Sequence, residues 1–200
     1  MRLSVDHVLL GGHPAIDFLN TSLAPDGEPI EKIPDGRSYL EWLVATHLLD
    51  ESRAAKLARR FGTDALDNAA AEARRVREWA RAWLVRWRAR AGADYGEEIT
   101  TLNKLLARDT QSRVLMTARQ GFEMVESPRI ETAGALVALV AEQLAALIAE
   151  EDHALVKECS GPGCTLWFLD RTKAHRRMFC SASACGNRAK VAAFRDRQRR

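Results

Sequence analysis

Four cysteines stand in the last 42 residues of this 200-residue chain and none stands elsewhere. They form two equally spaced pairs, Cys159-x4-Cys164 and Cys180-x4-Cys185, with fifteen residues between them. Zinc takes four soft donors at tetrahedral corners, with thiolate sulfur at about 2.3 Å. Two cysteines on a tight turn supply two corners, and a second pair returned by a hairpin supplies the rest. Ser160-Gly161-Pro162-Gly163 suits the first turn, because Gly and Pro accept sharp bends. Residues 165–169 and 177–179 read as hairpin arms around 170–176. Disulfides and redox-active thiols are the competing readings. A secreted disulfide scaffold spreads its cysteines through the chain, whereas clustered, equally spaced pairs favour a metal. We therefore expect one structural Zn²⁺ held by Cys159, Cys164, Cys180 and Cys185. Four thiolates complete the coordination, which leaves His175 facing solvent or phosphate and no open position for catalysis.

Charge is as unevenly distributed as cysteine. Residues 171–200 hold ten Lys/Arg against the single Asp196, a formal +9, while the first 170 residues hold 20 bases and 26 acids, or −6. A mildly acidic body with a strongly basic tail points to a polyanionic partner for the tail. After Cys185, Ala189, Val191, Ala192 and Phe194 allow a helix with an apolar side against the metal core. Its N-terminus would lie beside the thiolates, where its dipole stabilises them. Zn²⁺ with four thiolates is formally −2, so two or three of the bases are expected to balance the centre. The remainder exceeds that need.

Residues 1–153 read as a mostly helical body. Gly11 and Gly12 mark a turn, 15–20 is a short helix or a strand, and 24–37, with three prolines and two glycines, is a surface loop. Helices are expected over 38–49, over 63–90 with Thr63 as cap and Gly92 as stop, and over 97–107 with Ile99, Leu102, Leu105 and Leu106 inward. Pro128 opens another, running to about Glu150, with Leu136, Val137, Val140, Leu144, Leu147 and Ile148 inward. Between the last two, 113–118 and 122–126 form a β-hairpin. On the 63–90 helix Val76, Trp79, Ala80, Trp83, Leu84 and Trp87 make one apolar stripe, which reads as core packing. Arg74, Arg75, Arg77, Arg81 and Arg88 read as its solvated face. The first uncharged apolar run of the last helix ends at Glu142, too short to span a membrane, and residues 1–10 make a poor signal peptide, so a cytoplasmic location without a membrane partner is expected.

The run Cys180-Ser181-Ala182-Ser183-Ala184-Cys185-Gly186-Asn187-Arg188 resembles the signature of the CGNR zinc-finger family. Trp167-Phe168-Leu169-Asp170-x-Thr172 and Arg176-Arg177 before it are similar to that family too. Ala15-Ile16-Asp17-Phe18-Leu19-Asn20-Thr21 resembles the opening motif of the ABATE domain that accompanies this finger. Phe179 and Ala182 depart from the family's Trp and Met, which leaves the four cysteines intact. The resemblance implies an α+β chain: a mostly helical N-terminal domain with a short β-hairpin over 1–153, and a treble-clef-like finger with a basic helix over 154–200. It implies a role in transcription regulation.

The function expected is nucleic-acid binding, DNA ahead of RNA. Arg171, Lys173, Arg176 and Arg177 would contact phosphates from the hairpin, and Arg188, Lys190, Arg195, Arg197 and Arg199 from the helix. The alternative is a zinc-stabilised protein-interaction module. No enzyme is expected: His13, Asp17 and Asn20 beside the glycine turn offer neither a nucleophile nor an open metal site, and they read more simply as capping groups. A small-molecule ligand in the N-terminal domain would suit a regulator.

Overall fold

The computed structural model describes residues 9–24, 28–108, 110–118 and 121–198. The undecided segment is a helix, α1 (Pro14–Leu19), with proline in its first turn and the His13 side chain accepting the Ala15 N–H. Two short antiparallel strands, β1 (Ser22–Leu23) and β2 (Ile30–Glu31), flank part of the expected loop, so its described residues are less irregular than the prolines imply. Asp35 then caps α2 (Gly36–Ala45) through the Ser38 N–H, starting that helix two residues early; Thr46 closes it early, bonding back to Trp42 O.

Helix α3 (Glu51–Ala89) begins with a segment that the sequence reading left unassigned. Asp50 caps it through the Arg53 N–H, and a break at Gly62 (φ 73°) separates it from the Trp-bearing segment. Only Ala54 and Leu57 are buried before that break, too few to announce a helix by periodicity. Beyond it Val76, Ala80, Trp83, Leu84 and Trp87 are buried and Trp79 packs against them, as the stripe requires. Helix α4 (Gly96–Leu106) buries Leu102 and Leu105 but leaves Ile99 exposed, contrary to expectation.

The hairpin is longer than its apolar pattern indicated, with β3 (Thr110–Ala118) paired antiparallel to β4 (Gly121–Arg129). Pro128 does not open the next helix. It lies in β4 opposite Gln111, a place open to proline because both strands of a two-stranded sheet are edges. After a 3₁₀ turn (Ala133–Ala135) comes α5 (Leu136–Glu150), the central core helix. The run 133–150 is apolar and long enough to cross a membrane, but the core against α1, α3 and α4 takes up the side chains that make it so.

The C-terminal part comprises β5 (Val156–Glu158), β6 (Trp167–Leu169), a π turn (Ala182–Gly186) and α6 (Asn187–Gln198). The expected hairpin arms are corrected here. Strand β6 pairs with β5, while 177–179 forms no strand and meets the first turn through the bond from Ser160 N–H to Met178 O. Side chains alternate across a strand, and β6 uses this to join two cores. Trp167 and Leu169 enter the main core, and Phe168 enters a smaller one with Leu23, Leu166 and three of the cysteines.

A four-thiol centre and its cationic surroundings

The four cysteine Sγ atoms lie within 4.8 Å of one another. Cys180 Sγ is 3.5 Å from Cys185 Sγ and 3.9 Å from Cys164 Sγ. A tetrahedron with thiolates at about 2.3 Å from its centre has edges of about 3.8 Å, so these separations fit one zinc. They are too long for disulfides, whose sulfurs lie about 2.05 Å apart.

Local sequence explains the convergence. In the first turn Cys164 N–H reaches Gly161 O, and Gly163 adopts φ 69°. A Cβ on Gly161 would stand 2.9 Å from Cys185 Cβ and 3.1 Å from its sulfur, so no other residue fits between the two pairs. Backbone N–H groups of Gly161 and Cys180 point at Cys159 Sγ, at 3.4 and 3.2 Å. Ser181 Oγ accepts the Ala184 N–H and shapes the π turn that presents Cys185 at the start of α6.

Without a metal, Cys164 and Cys180 resist ionisation. Burial, reinforced by the neighbouring thiols, pushes Cys164 up to about 11 and raises Cys180 further. Cys185 moves the other way. Burial opposes its charge, but the Arg188 guanidinium, with Nη2 at 3.0 Å from the sulfur, and the other three thiols outweigh it. Four thiols crowded into an interior make a donor set that a divalent ion satisfies, because it neutralises the charge that burial penalises. His175 stands outside this set; its carbonyl accepts Lys157 Nζ.

The arginines near the centre divide into two kinds. Arg177 lies 4.3 Å over the Phe168 ring and donates to the carbonyls of Phe179 and Cys180, so it holds the finger together. Arg188 serves Cys185, and Arg171 pairs with Glu151 of the body. Lys173, Arg176, Lys190, Arg195 and Arg197 are exposed, while Arg199 lies outside the described residues. The apolar side expected to seat α6 on the metal core does not do so: Ala189 and Ala192 are half-buried, whereas Val191 and Phe194 are 48% and 52% exposed.

The structural tasks of several residues, some of them within the quoted motifs, are not legible in the sequence. Asp170, fully buried, accepts from Lys157 Nζ (2.6 Å), Thr172 Oγ1 (2.6 Å) and the N–H groups of Thr172 and Arg177, and so ties down the 170–177 loop. Burial opposes its charge, yet these donors hold its carboxyl well below the usual carboxylate range. Asn20 acts as a surrogate strand, with its side-chain amide accepting the Trp167 N–H at 2.8 Å and donating to Trp167 O at 2.9 Å. Leu169 N–H reaches Gly11 O at 2.7 Å. Arg88 covers the Trp167 ring at 4.8 Å and pairs with Glu158. His13 thus caps α1, Asp17 holds the Gly11 N–H, and Asn20 docks the finger, a task beyond the capping expected of it.

Residues 156–198 match the family model of the CGNR zinc finger, and residues 12–151 match that of ABATE, "Putative stress-induced transcription regulator". The chain belongs to the ABATE family. No match to a curated protein was found. Within this ABATE protein the opening motif is the dock for the finger, since its Asn20 holds the outer edge of β6. The finger match and the clustered thiols together are consistent with one structural zinc.

Proposed function

We propose that this ABATE protein is a cytoplasmic, non-catalytic transcription regulator that binds DNA through its finger. Residues 1–153 form the body and 154–200 the finger, with Cys159, Cys164, Cys180 and Cys185 as the ligands of one structural zinc. A turn bearing the first pair, a short strand, and a second pair at the start of a helix support a treble-clef-like reading of the finger.

The observation that carries the reading is the exposed set Lys173, Arg176, Lys190, Arg195 and Arg197, left over after Arg177 and Arg188 are assigned to the finger itself. An open cavity of about 510 Å³, lined by residues that include Arg88, Lys157, Arg176 and Arg177 with the lone acid Glu158, extends this cationic surface to the junction with the body.

Neutralising about five phosphates makes log K fall against log salt with a slope of roughly −4.5 for duplex DNA. Anisotropy titrations of the intact protein on random duplexes from 50 to 200 mM salt, on the order of the range where this term dominates, read that slope. Replacing Lys190, Arg195 and Arg197 with Ala is expected to reduce it to about −2. A slope near zero in the intact protein sinks the proposal, and tighter binding to random RNA would reassign the polymer.

Met178, at 57% exposure, with Val191 and Phe194 favours a second reading, a protein-interaction module. Partner capture that survives nuclease treatment and is lost on Val191→Ser with Phe194→Ser would establish it.

A further inference from the structure

Helices α2 and α3 flank an open cleft of about 780 Å³, far from the cysteines in the chain and within the size range of small-molecule sites. Its apolar lining comes from Leu40, Val44, Ala54, Ala58 and Leu66. The room arises from small side chains on the first segment of α3 and from the break at Gly62, where a Cβ would meet nothing within 4 Å. Asp35, Glu41, Glu51 and Asp67 also line it, against Arg37 as the one base, a formal charge of −3.

Glu41 is the unusual member. It is 94% buried on α2, and its carboxylate meets only Arg37 Nε, at 3.0 Å, among the described residues. Arg37 is itself 71% exposed. A hydrated surface guanidinium compensates a buried carboxylate weakly, because solvent screens it and its long side chain loses entropy in the pairing. Asp35 and Asp67, by contrast, each accept a backbone N–H at the start of α2.

We propose that this cleft binds an amphipathic organic cation, a molecule with a bulky apolar body and one positive charge. The apolar body fills the space beside Ala58, and the charge replaces Arg37 at Glu41. Arg37 is then the resting counter-ion that the ligand displaces. This site would supply the small-molecule ligand that the sequence suggests for the N-terminal domain, and it does not depend on nucleic-acid binding.

The test uses zinc-loaded full-length protein and two nearly isosteric ions of opposite charge, tetraphenylphosphonium and tetraphenylborate, followed by calorimetry. The phosphonium is expected to bind one site per chain, with the borate weaker by about tenfold or more. Glu41→Gln should weaken phosphonium binding about tenfold, and Arg37→Gln should strengthen it by removing the competitor. Ala58→Phe should block both ions by filling the space. Circular dichroism and thermal melts check that each variant is folded. Equal affinity for the two ions, or phosphonium binding indifferent to both Glu41→Gln and Ala58→Phe in folded variants, overturns the site. Titrating DNA into the same preparations separates the two readings. If DNA binds and the phosphonium does not, the cleft site falls alone. If the phosphonium binds and DNA does not, the cleft site stands and the nucleic-acid reading falls.

Discussion

Asp17 occupies the first turn of α1, buried, with its Oδ1 accepting the Gly11 N–H at 2.7 Å. Burial raises its pKa to about 6, outweighing the Gly11 and Leu10 N–H groups that favour the anion. A carboxyl with a raised folded pKa keeps its proton longer in the native state than in the unfolded chain. Stability therefore falls as pH rises from about 4 to about 6, and the full cost persists above that. Asn at this position keeps an acceptor for Gly11 without the charge. Asp17→Asn is expected to add about 2 kcal/mol at pH 7.5 and close to nothing at pH 4, read as the difference between variant and parent in urea melts. An equal gain at both pH values would contradict the burial argument. The arginines of α3 carry a related lesson. Of the five expected on a solvated face, only Arg75 is exposed. Arg77 is buried in a bidentate pair with Glu31 and bonds Thr21, while Arg74 and Arg81 donate to backbone carbonyls of 33–34 and of Leu19 and Ser22. Helical spacing marks which side a residue occupies but not what covers that side, and here β1, β2 and the residues 19–21 and 33–34 beside them cover it.

Between elements, the tightest constraint is where α2 crosses α3. A Cβ on Gly36 would stand 2.3 Å from Leu66 Cβ and 2.4 Å from the Leu66 carbonyl carbon. One of these is backbone, so a rotamer change cannot relieve the clash. Gly36→Ala must separate the helices and is expected to cost about 2–3 kcal/mol in chemical denaturation; a change below about 0.5 kcal/mol would show that the crossing yields easily. Nothing local distinguishes Gly36 from any glycine before a helix. Its importance comes from Leu66, thirty positions later. Strand β6 shows the same dependence on distant partners. Its alternation of Trp167, Phe168 and Leu169 is visible as three consecutive apolar residues, but two cores rather than one give the alternation its meaning.

In the molecule as a whole, the finger and the body share structure. One edge of β6 pairs with β5, and its other edge bonds Asn20 and Gly11. Phe168, on the opposite face, packs with the cysteines. Removing zinc frees Phe168 and loosens the strand whose neighbours fill the body's core. Chelation is therefore expected to lower the melting temperature of the entire chain by roughly 5 °C or more, with added hydrogen exchange in α1 and α5. Exchange confined to residues 156–198 would mean that the two parts are mechanically separate.

Spacing and charge, both properties of the linear chain, determined that four thiols form one donor set, that the cationic tail exceeds what the centre needs, and that α3 and α5 turn apolar stripes inward. Such features survive any arrangement of the rest, because ligand spacing, net charge and helical period are local. Tertiary structure alone decided which arginines remain on the surface, that β5 rather than 177–179 pairs with β6, that Asn20 docks the finger, and that a carboxylate lies buried between α2 and α3. Each of these depends on contacts between residues tens of positions apart, where burial and partner supply the energy and neither is written in the neighbouring sequence.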